Sequence, residues 1–391
     1  MPSVANQTVM MPPFASRPSP KLVFGPGVLR ELPACVREAG GSAVFLVTDT
    51  GLMRAGHAAR ATALLEAAGL PVTLYDHSHE NPTEADAAAC REAARAVKFD
   101  CFVALGGGSS MDTAKAANFL LTNGGAMRDY HGYGKATRPM LPLIAIPTTS
   151  GTGSECQSYA LVSRDDTHEK MACGDPRARA HTALLDPELT ATQPRSVAIA
   201  TGLDALSHAL ESAVCTQRNS ISSLYAEGAF RHLAGAIGAV VAGRATLEDR
   251  SAMQLGAALA GLAIENSMLG AAHATANPLT ARHGLVHGRA VALMLPHVMR
   301  FNAAVPAVAA IYARYADILQ ASGVTTAPLI EWVGELGAQG SRPELNGAAL
   351  DLAALAADAA QQWTGKFNPR PLQPADFLSL YRSALGLHAS S

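Results

Sequence analysis

The stretch HATANPLTARHGLVHG, residues 273–288, places His273, His283 and His287 within an alanine-rich segment. Upstream, GLDALSHALE (202–211) sets Asp204 and His208 four residues apart. On a helix, that spacing puts both side chains on one face, one turn apart. Taken alone, the pair serves equally as a surface Asp–His hydrogen bond or as two ligands from successive turns. With His273 and His287 added, it becomes one carboxylate and three imidazoles. That donor set suits Fe2+ or Zn2+ and is too rich in nitrogen for Mg2+ or Ca2+.

A second kind of chemistry sits earlier in the chain. GGGSS (106–110) follows an apolar run and opens a helical pattern. Glycines let a ligand approach the backbone, and a helix N-terminus offers free N–H groups to an anion such as a pyrophosphate. A tight strand-to-helix turn without a ligand is the plainer alternative. The loop is not a G-x-G-x-x-G fingerprint; Ser109 and Ser110 fit either as helix caps or as phosphate donors. PTTSGTGSE (147–155) offers Thr148, Thr149 and Thr152 as the other wall of the same cleft. Asp49 closes an apolar run, where a carboxylate can accept from a ribose diol and would repel a 2′-phosphate. That favours NAD over NADP. An Asx turn before Gly51 is the alternative.

These groups need a scaffold, and the hydrophobic pattern supplies one. SAVFLVTDTG (42–51), PVTLYDHSHENPT, CFVALGGGSS and LPLIAIPTTSG read as short buried strands, each followed by a turn or loop and most by a helical pattern. Alternating strand and helix predicts an α/β domain with a mainly parallel sheet. In that count Asp49 ends the first strand and the glycine loop follows the third. From Ser196 onward, segments such as SVAIATGLDALSHALESAV and SAMQLGAALAGLAIENSM have helical spacing and no convincing strand. The expected division is residues 1–193 as an N-terminal α/β NAD-binding domain, of which 1–20 form an irregular arm. Residues 194–391 form an all-helical metal-binding domain.

The chain's 391 residues, 49% hydrophobic and 16% charged, suffice for two cores. A formal net charge of −2 with no long basic run gives no footprint for nucleic acid. No eighteen-residue apolar run predicts a membrane span, and the first residues lack a signal-peptide pattern. Cys35, Cys90, Cys101, Cys156, Cys173 and Cys215 form no C-x-x-C pair, which suits free thiols in a reducing cytoplasm.

GGGSSMDTAKA, PTTSGTGSE, GLDALSHALE, the spaced histidines and LPHVMRFN, in this order, resemble the iron-containing (group III) alcohol dehydrogenases. The resemblance runs from KLVFGPGVL, near residue 21, to FNPRPL and the closing helix. It implies a dehydroquinate synthase-like fold with the active site between the two domains, and a homodimer. It also implies metal ligation by Asp204, His208, His273 and His287. His283 then falls where relatives often carry an aromatic ring, and His297 on a non-ligand position. Asp49 matches the ribose-binding aspartate, and Gly107, Gly108 and Ser109 the pyrophosphate loop. Asn81 matches a cofactor-side asparagine; Asp112, Thr148, Thr149, Thr152 and Lys170 fall on cleft positions. The chain departs from its relatives at Asn277, four residues after His273, where they commonly carry a histidine thought to move protons.

The expected function is metal-dependent, NAD-linked hydride transfer between nicotinamide and a small alcohol or aldehyde. Fe2+ is the expected ion, with Zn2+ as the alternative. A zinc-dependent polyol dehydrogenase is the nearer rival. A dehydroquinate synthase-like lyase would need Lys and Arg near the metal helices, which are poor in them. Asn277 cannot titrate. His283, four residues before His287, would share its face if the chain were helical there and could replace the missing relay; packing in place of an aromatic ring is the alternative. IENSMLGAA (264–272) serves equally as pocket lining or helix core.

Overall fold

The computed structural model describes residues 13–167, 169–339 and 350–387. Of the expected N-terminal arm, residues 13–20 are described and carry neither strand nor helix; the rest lies outside the described residues.

Among the described residues nine strands form two sheets: β1 (Lys21–Phe24), β2 (Val44–Val47), β3 (Val72–Tyr75), β4 (Cys101–Gly106), β5 (Gly132–Tyr133), β6 (Leu143–Pro147), β7 (Tyr159–Ser163), β8 (Lys170–Gly174) and β9 (Thr182–Leu185). The larger sheet is entirely parallel, in the order β1-β9-β6-β4-β2-β3. Every residue of β2, β4 and β6 is buried. This is why these strands read as unbroken apolar runs: helices cover both faces of the sheet. Strand alternation sends Leu46, Val103, Leu105 and Ile144 into one layer of core, and Phe45, Val47, Phe102 and Ala104 into the other.

From β2 the chain moves outward to β3, then crosses back to place β4 on the other side of β2. The C-terminal ends of β2 and β4 therefore flank a topological switch point, where α/β sheets leave a crevice for ligands. Asp49 and Gly107 stand at those two ends.

The sequence count of strands needs correction. β1 precedes the run at 42–51, so Asp49 follows the second strand and the glycine loop the fourth. β1 is a four-residue edge strand whose ends are exposed, too short and too mixed to show a period. A three-stranded sheet, β5-β8-β7, was also illegible. In it β7 and β8 pair antiparallel and β5 lies parallel to β8.

Beyond β9 the described residues hold no strand, and after a short 3-10 turn at Pro187–Thr190 the α-helices begin at Arg195. Within the Arg195–Val214 helix every residue from Gly202 to Val214 is buried, so this helix is the axis of its core. The two halves meet where Gly153 approaches the Leu247–Glu265 helix. A Cβ on Gly153 would lie 2.6 Å from the Gly261 Cα, and the Gly153 φ is +64°. Both contact and conformation require glycine there.

Candidate active site

Asp204 and His208 project from consecutive turns of the Arg195–Val214 helix, and His273 from the first turn of the Ala271–His283 helix. All three are nearly inaccessible, and their ligand atoms lie within 4.8 Å of one another. His208 Nε2 is 3.1 Å from His273 Nε2. Asp204 Oδ1 is 3.3 Å from His208 Nε2 and 3.4 Å from His273 Nε2. His287 opens the next helix, His287–Asn302, with its Nε2 3.8 Å from Asp204 Oδ1 and its side chain 26% exposed. It stands at the rim of the cluster. A Cβ on the adjacent Gly288 would lie 2.0 Å from the Ala200 carbonyl oxygen, so a glycine is needed to bring His287 this close to the Asp204 helix.

This set fits a divalent cation. Glu211 Oε2 accepts a 2.5 Å hydrogen bond from His273 Nδ1. That bond places the proton on Nδ1 and leaves Nε2 as a bare lone pair aimed at Asp204. Asp204 Oδ1 is buried and has no hydrogen-bond donor. Stranding a carboxylate there costs several kcal/mol unless a positive charge compensates it. Metal bonds of roughly 2.0–2.2 Å place neighbouring ligands roughly 3.0–3.5 Å apart, matching the separations among Asp204, His208 and His273. The same carboxylates draw positive charge to this point: burial opposes charge on His273, but Asp204 and Glu211 outweigh it and push its pKa up to about 9, so an ion bound at Nε2 displaces a proton held there. Burial drives His208 down to about 4. Burial would raise Asp204, yet the surrounding imidazoles hold it well below the usual carboxylate range.

A continuous cavity of about 410 Å³ joins this cluster to the glycine loop. Gly107 precedes the Gly108–Asn123 helix and has no side chain to cap it, so the first N–H groups of the helix, at residues that line the cavity, have no side-chain cap. A Cβ on Gly108 would lie 2.8 Å from Thr152 Cγ2, and one on Gly107 would lie 3.5 Å from Thr149 Cγ2. The two loops thus pack against each other, with no room for a side chain at Gly108. Asn81, in the left-handed region at φ +53°, donates its N–H to Ser109 Oγ at 3.3 Å. Asp112 Oδ1 accepts from Ser154 Oγ at 2.9 Å, and burial pushes its pKa up to about 6. Lys170 lines the cavity, faces Asp112 and Asp204, and is lowered by burial.

Thr148 is buried and outside the cavity lining; its N–H donates to Gly106 O at 2.9 Å. Asp49 also lies outside the lining. Its Oδ1 caps the Thr50–Arg54 helix, accepting from Gly51 N at 2.7 Å and Leu52 N at 3.0 Å. The turn-forming alternative therefore describes Asp49 Oδ1, while these bonds leave Oδ2 for a ligand. Asn277 lines the cavity and donates from Nδ2 to Gln362 Oε1 at 2.8 Å. His283 does not line it, and its expected shared face with His287 is corrected. The helix ends at His283 because Gly284, at φ +66°, takes the left-handed capping conformation, and His287 begins a different helix. His297 pairs with Ser383 Oγ at 2.7 Å, away from the cluster.

Sequence reasoning missed two residues. Glu211 was visible as a carboxylate seven residues after Asp204 and three after His208, on the same helical face. Lys115 carried a weaker signal, a lysine inside the apolar pattern after the glycine loop. It is 1% exposed, and its Nζ donates to Ser154 O, Ser154 Oγ, Gln157 O and Tyr159 O at 2.6–3.0 Å. It ties the glycine-loop helix to the opposite wall.

Comparison with known proteins gives a consistent picture. The profile of iron-containing alcohol dehydrogenase matches residues 19–187, and the C-terminal profile of the same family matches residues 198–385. The chain is 30% identical to an NAD-dependent methanol dehydrogenase of Bacillus methanolicus over 94% of this chain and 98% of the relative. It is 31% identical to the lactaldehyde reductase of Escherichia coli K12, over 92% of this chain and 97% of the relative. A crystal structure of a 1,3-propanediol oxidoreductase superposes with a TM-score of 0.88 at 28% identity, covering 95% of this chain and all of that one.

Proposed function

This chain belongs to the iron-containing alcohol dehydrogenase family, and on that premise we propose that it oxidises small alcohols with NAD and reduces the matching aldehydes. Asp204, His208, His273 and His287 hold the divalent ion, Fe2+ in preference to Zn2+. When bound, the ion supplies Lewis acidity to the substrate oxygen, and the nicotinamide accepts or returns the hydride.

The chain's own groups do the rest. Glu211 fixes the His273 tautomer and ring orientation. The free N–H groups at Gly107, Gly108 and Ser109 receive the pyrophosphate, and Thr149 and Thr152 close the opposite wall. Asp49 Oδ2 is left to accept from the adenosine ribose. Lys170 and Asp112 set the charge of the cleft between the loop and the metal cluster. Asn277 contributes an amide where an imidazole would titrate, so proton exchange with solvent relies on water or cofactor hydroxyls.

The observation that carries this reading is the convergence of the Asp204, His208 and His273 lone pairs behind the Glu211 brace. The test is a turnover assay with NAD on metal-stripped protein, then on protein reloaded separately with Fe2+ and Zn2+. Turnover that survives complete stripping sinks the metal's role; zinc outperforming iron reverses the choice of ion.

We further propose a homodimer in the cytoplasm, with residues 1–193 and 194–391 as its two domains. All six cysteines are buried and free, which suits a reducing compartment. No helix among the described residues is long and apolar enough to cross a membrane. β1 pairs with β9 along one side only, leaving an edge that a second copy could cover.

A further inference from the structure

The segment 264–272, ambiguous in sequence, is resolved by position. Ile264, Met268 and Leu269 line the cavity, together with Tyr159 and Trp363. These five side chains come from three separate stretches of chain, and specific bonds fix each stretch near the metal cluster. Ser158 donates from its backbone N–H and its hydroxyl to Glu265, at 3.0 and 2.7 Å. That clamps Tyr159 beside Ile264. The Trp363 ring lies 6.1 Å from the Tyr159 ring, tilted by 33°. Trp363 follows Gln362, which accepts from Asn277 at 2.8 Å; Asn277 is one helical turn beyond His273. Met268 and Leu269 precede the helix that carries His273. The first turn of that helix is held by Ala272 N donating to Glu211 Oε1 at 2.7 Å and Ala271 N donating to Asn368 Oδ1 at 3.2 Å.

None of the five is charged, and most nearby polar groups are already committed inside the protein, the buried Thr364 hydroxyl beside Trp363 being one that is not. The Tyr159 hydroxyl faces the Arg17 guanidinium, which also pairs with Glu265. Gln157 Nε2 donates to Thr152 O at 2.8 Å, and Asn277 Nδ2 is held by Gln362. Asn277 Oδ1 is left as an acceptor. What faces a substrate beside His273 is mainly ring faces, a thioether and branched alkyl.

We propose that this wall selects alcohols and aldehydes whose reacting carbon bears an alkyl or aryl group, over diols, polyols and 2-hydroxy acids. The proposal rests on the dehydrogenase reading and names the substrate class of that site. A second hydroxyl placed against this wall loses water and finds few free partners. An added methylene is buried instead.

Two measurements on full-length, iron-loaded protein test it. The first is kcat/KM with NAD for ethanol, 1-propanol, 1-butanol, benzyl alcohol, 1,2-propanediol, glycerol, lactate and a quaternary ammonium alcohol. The expected rise is about fourfold per methylene from ethanol to butanol, the equivalent of ~0.8 kcal/mol per buried CH2. 1,2-Propanediol should fall at least tenfold below 1-propanol. Trp363→Ala should raise KM more than it lowers kcat, with a loss that grows with the apolar area of the substrate, while Trp363→Phe retains most of the preference. Propanediol, glycerol, lactate or the ammonium alcohol surpassing its matched simple alcohol overturns the proposal; a diol preference would assign Asn277 Oδ1 the recognition role.

The second measurement does not depend on turnover. The chain holds two tryptophans, Trp332 and Trp363, so benzyl alcohol and 1,2-propanediol can be titrated against tryptophan emission, with Trp363→Phe as the blank. Tighter binding of benzyl alcohol, with an emission change that disappears in the blank, supports the apolar wall even if no alcohol is oxidised, in which case the dehydrogenase reading fails alone. Equal or tighter binding of the diol overturns the wall.

Discussion

The proposed metal cluster and the proposed cofactor loop are built of opposite materials. The cluster is made of side chains: a carboxylate and imidazoles buried in a helical core and braced by Glu211. The loop is made of backbone: N–H groups exposed by glycines at a helix start, with Thr149 and Thr152 packed against them. One site depends on which atoms a residue carries, the other on atoms it lacks. Substitutions should therefore fail in different ways. Removing a ligand from the cluster should cost the ion, while adding a methyl to the loop should cost the nucleotide, and neither loss should propagate to the other site.

The largest effect that follows is at His273. His273→Ala should abolish stoichiometric metal and turnover, because the residue supplies a ligand atom and is the one held by Glu211. His287→Ala should also lose the metal, but as the rim ligand it should retain weak binding that His273→Ala lacks. Metal analysis of both purified variants checks the order; full metal content in either removes that residue from the ligand set. Glu211→Gln comes next. It keeps the shape and loses the charge that sets the His273 tautomer, so metal affinity should drop by about 10–100-fold, with NAD binding unchanged.

Gly108→Ala makes the converse test. The new Cβ would meet Thr152 Cγ2 at 2.8 Å, an overpacking that costs about 1–3 kcal/mol. The KM for NAD should rise accordingly while metal content stays full. Gly108→Ala protein that loses its metal would show that the two sites are not independent.

The same contrast explains what the sequence disclosed. The grouping of Asp204, His208 and His273 was legible because it depends on residue types, and the i, i+4 spacing survives in a string of letters. Glu211 was overlooked because a glutamate on a helix is common, although its register on the Asp204 face was there to be seen. The cofactor loop was legible only as a run of glycines, and Lys115 hardly at all. Nothing local announces that a lysine's four acceptors will come from residues around forty positions downstream. The parallel sheet showed in its buried central strands, while β1, β7, β8 and β9 did not, being short and partly at edges. His283 was misplaced because helical spacing was carried across Gly284, itself a stop signal at the end of ARH.

Asp49 tests the loop side more finely. It caps a helix through Oδ1, and its carboxylate should discriminate against a 2′-phosphate by roughly 1–3 kcal/mol. Glycine at an N-cap costs only a few tenths of a kcal/mol, so Asp49→Gly separates the two roles. Folding should be nearly unchanged while the ratio of kcat/KM for NAD to that for NADP falls. Wild-type protein using NADP as well as NAD, or an unchanged ratio in Asp49→Gly, would leave Asp49 as a cap alone.

The smallest expected effect is at His283. It sits at the last turn of a helix, beyond the cavity lining and separated from His287 by a glycine-capped break. A relay must be within hydrogen-bond reach of the proton it takes, directly or through one water, and the backbone denies His283 a common face with the cluster. His283→Phe should therefore keep the metal, kcat and the pH dependence of kcat. Asn277→His, by contrast, places a titratable ring one turn from His273 inside the cavity. It should alter the pH profile near neutrality, provided the loss of the Gln362 bond does not displace the ring. A reduced kcat and flattened profile in His283→Phe, with metal retained, would mean that the proton leaves the cluster past the helix break, and that the boundary between cluster and surface has been drawn on the wrong side of Gly284.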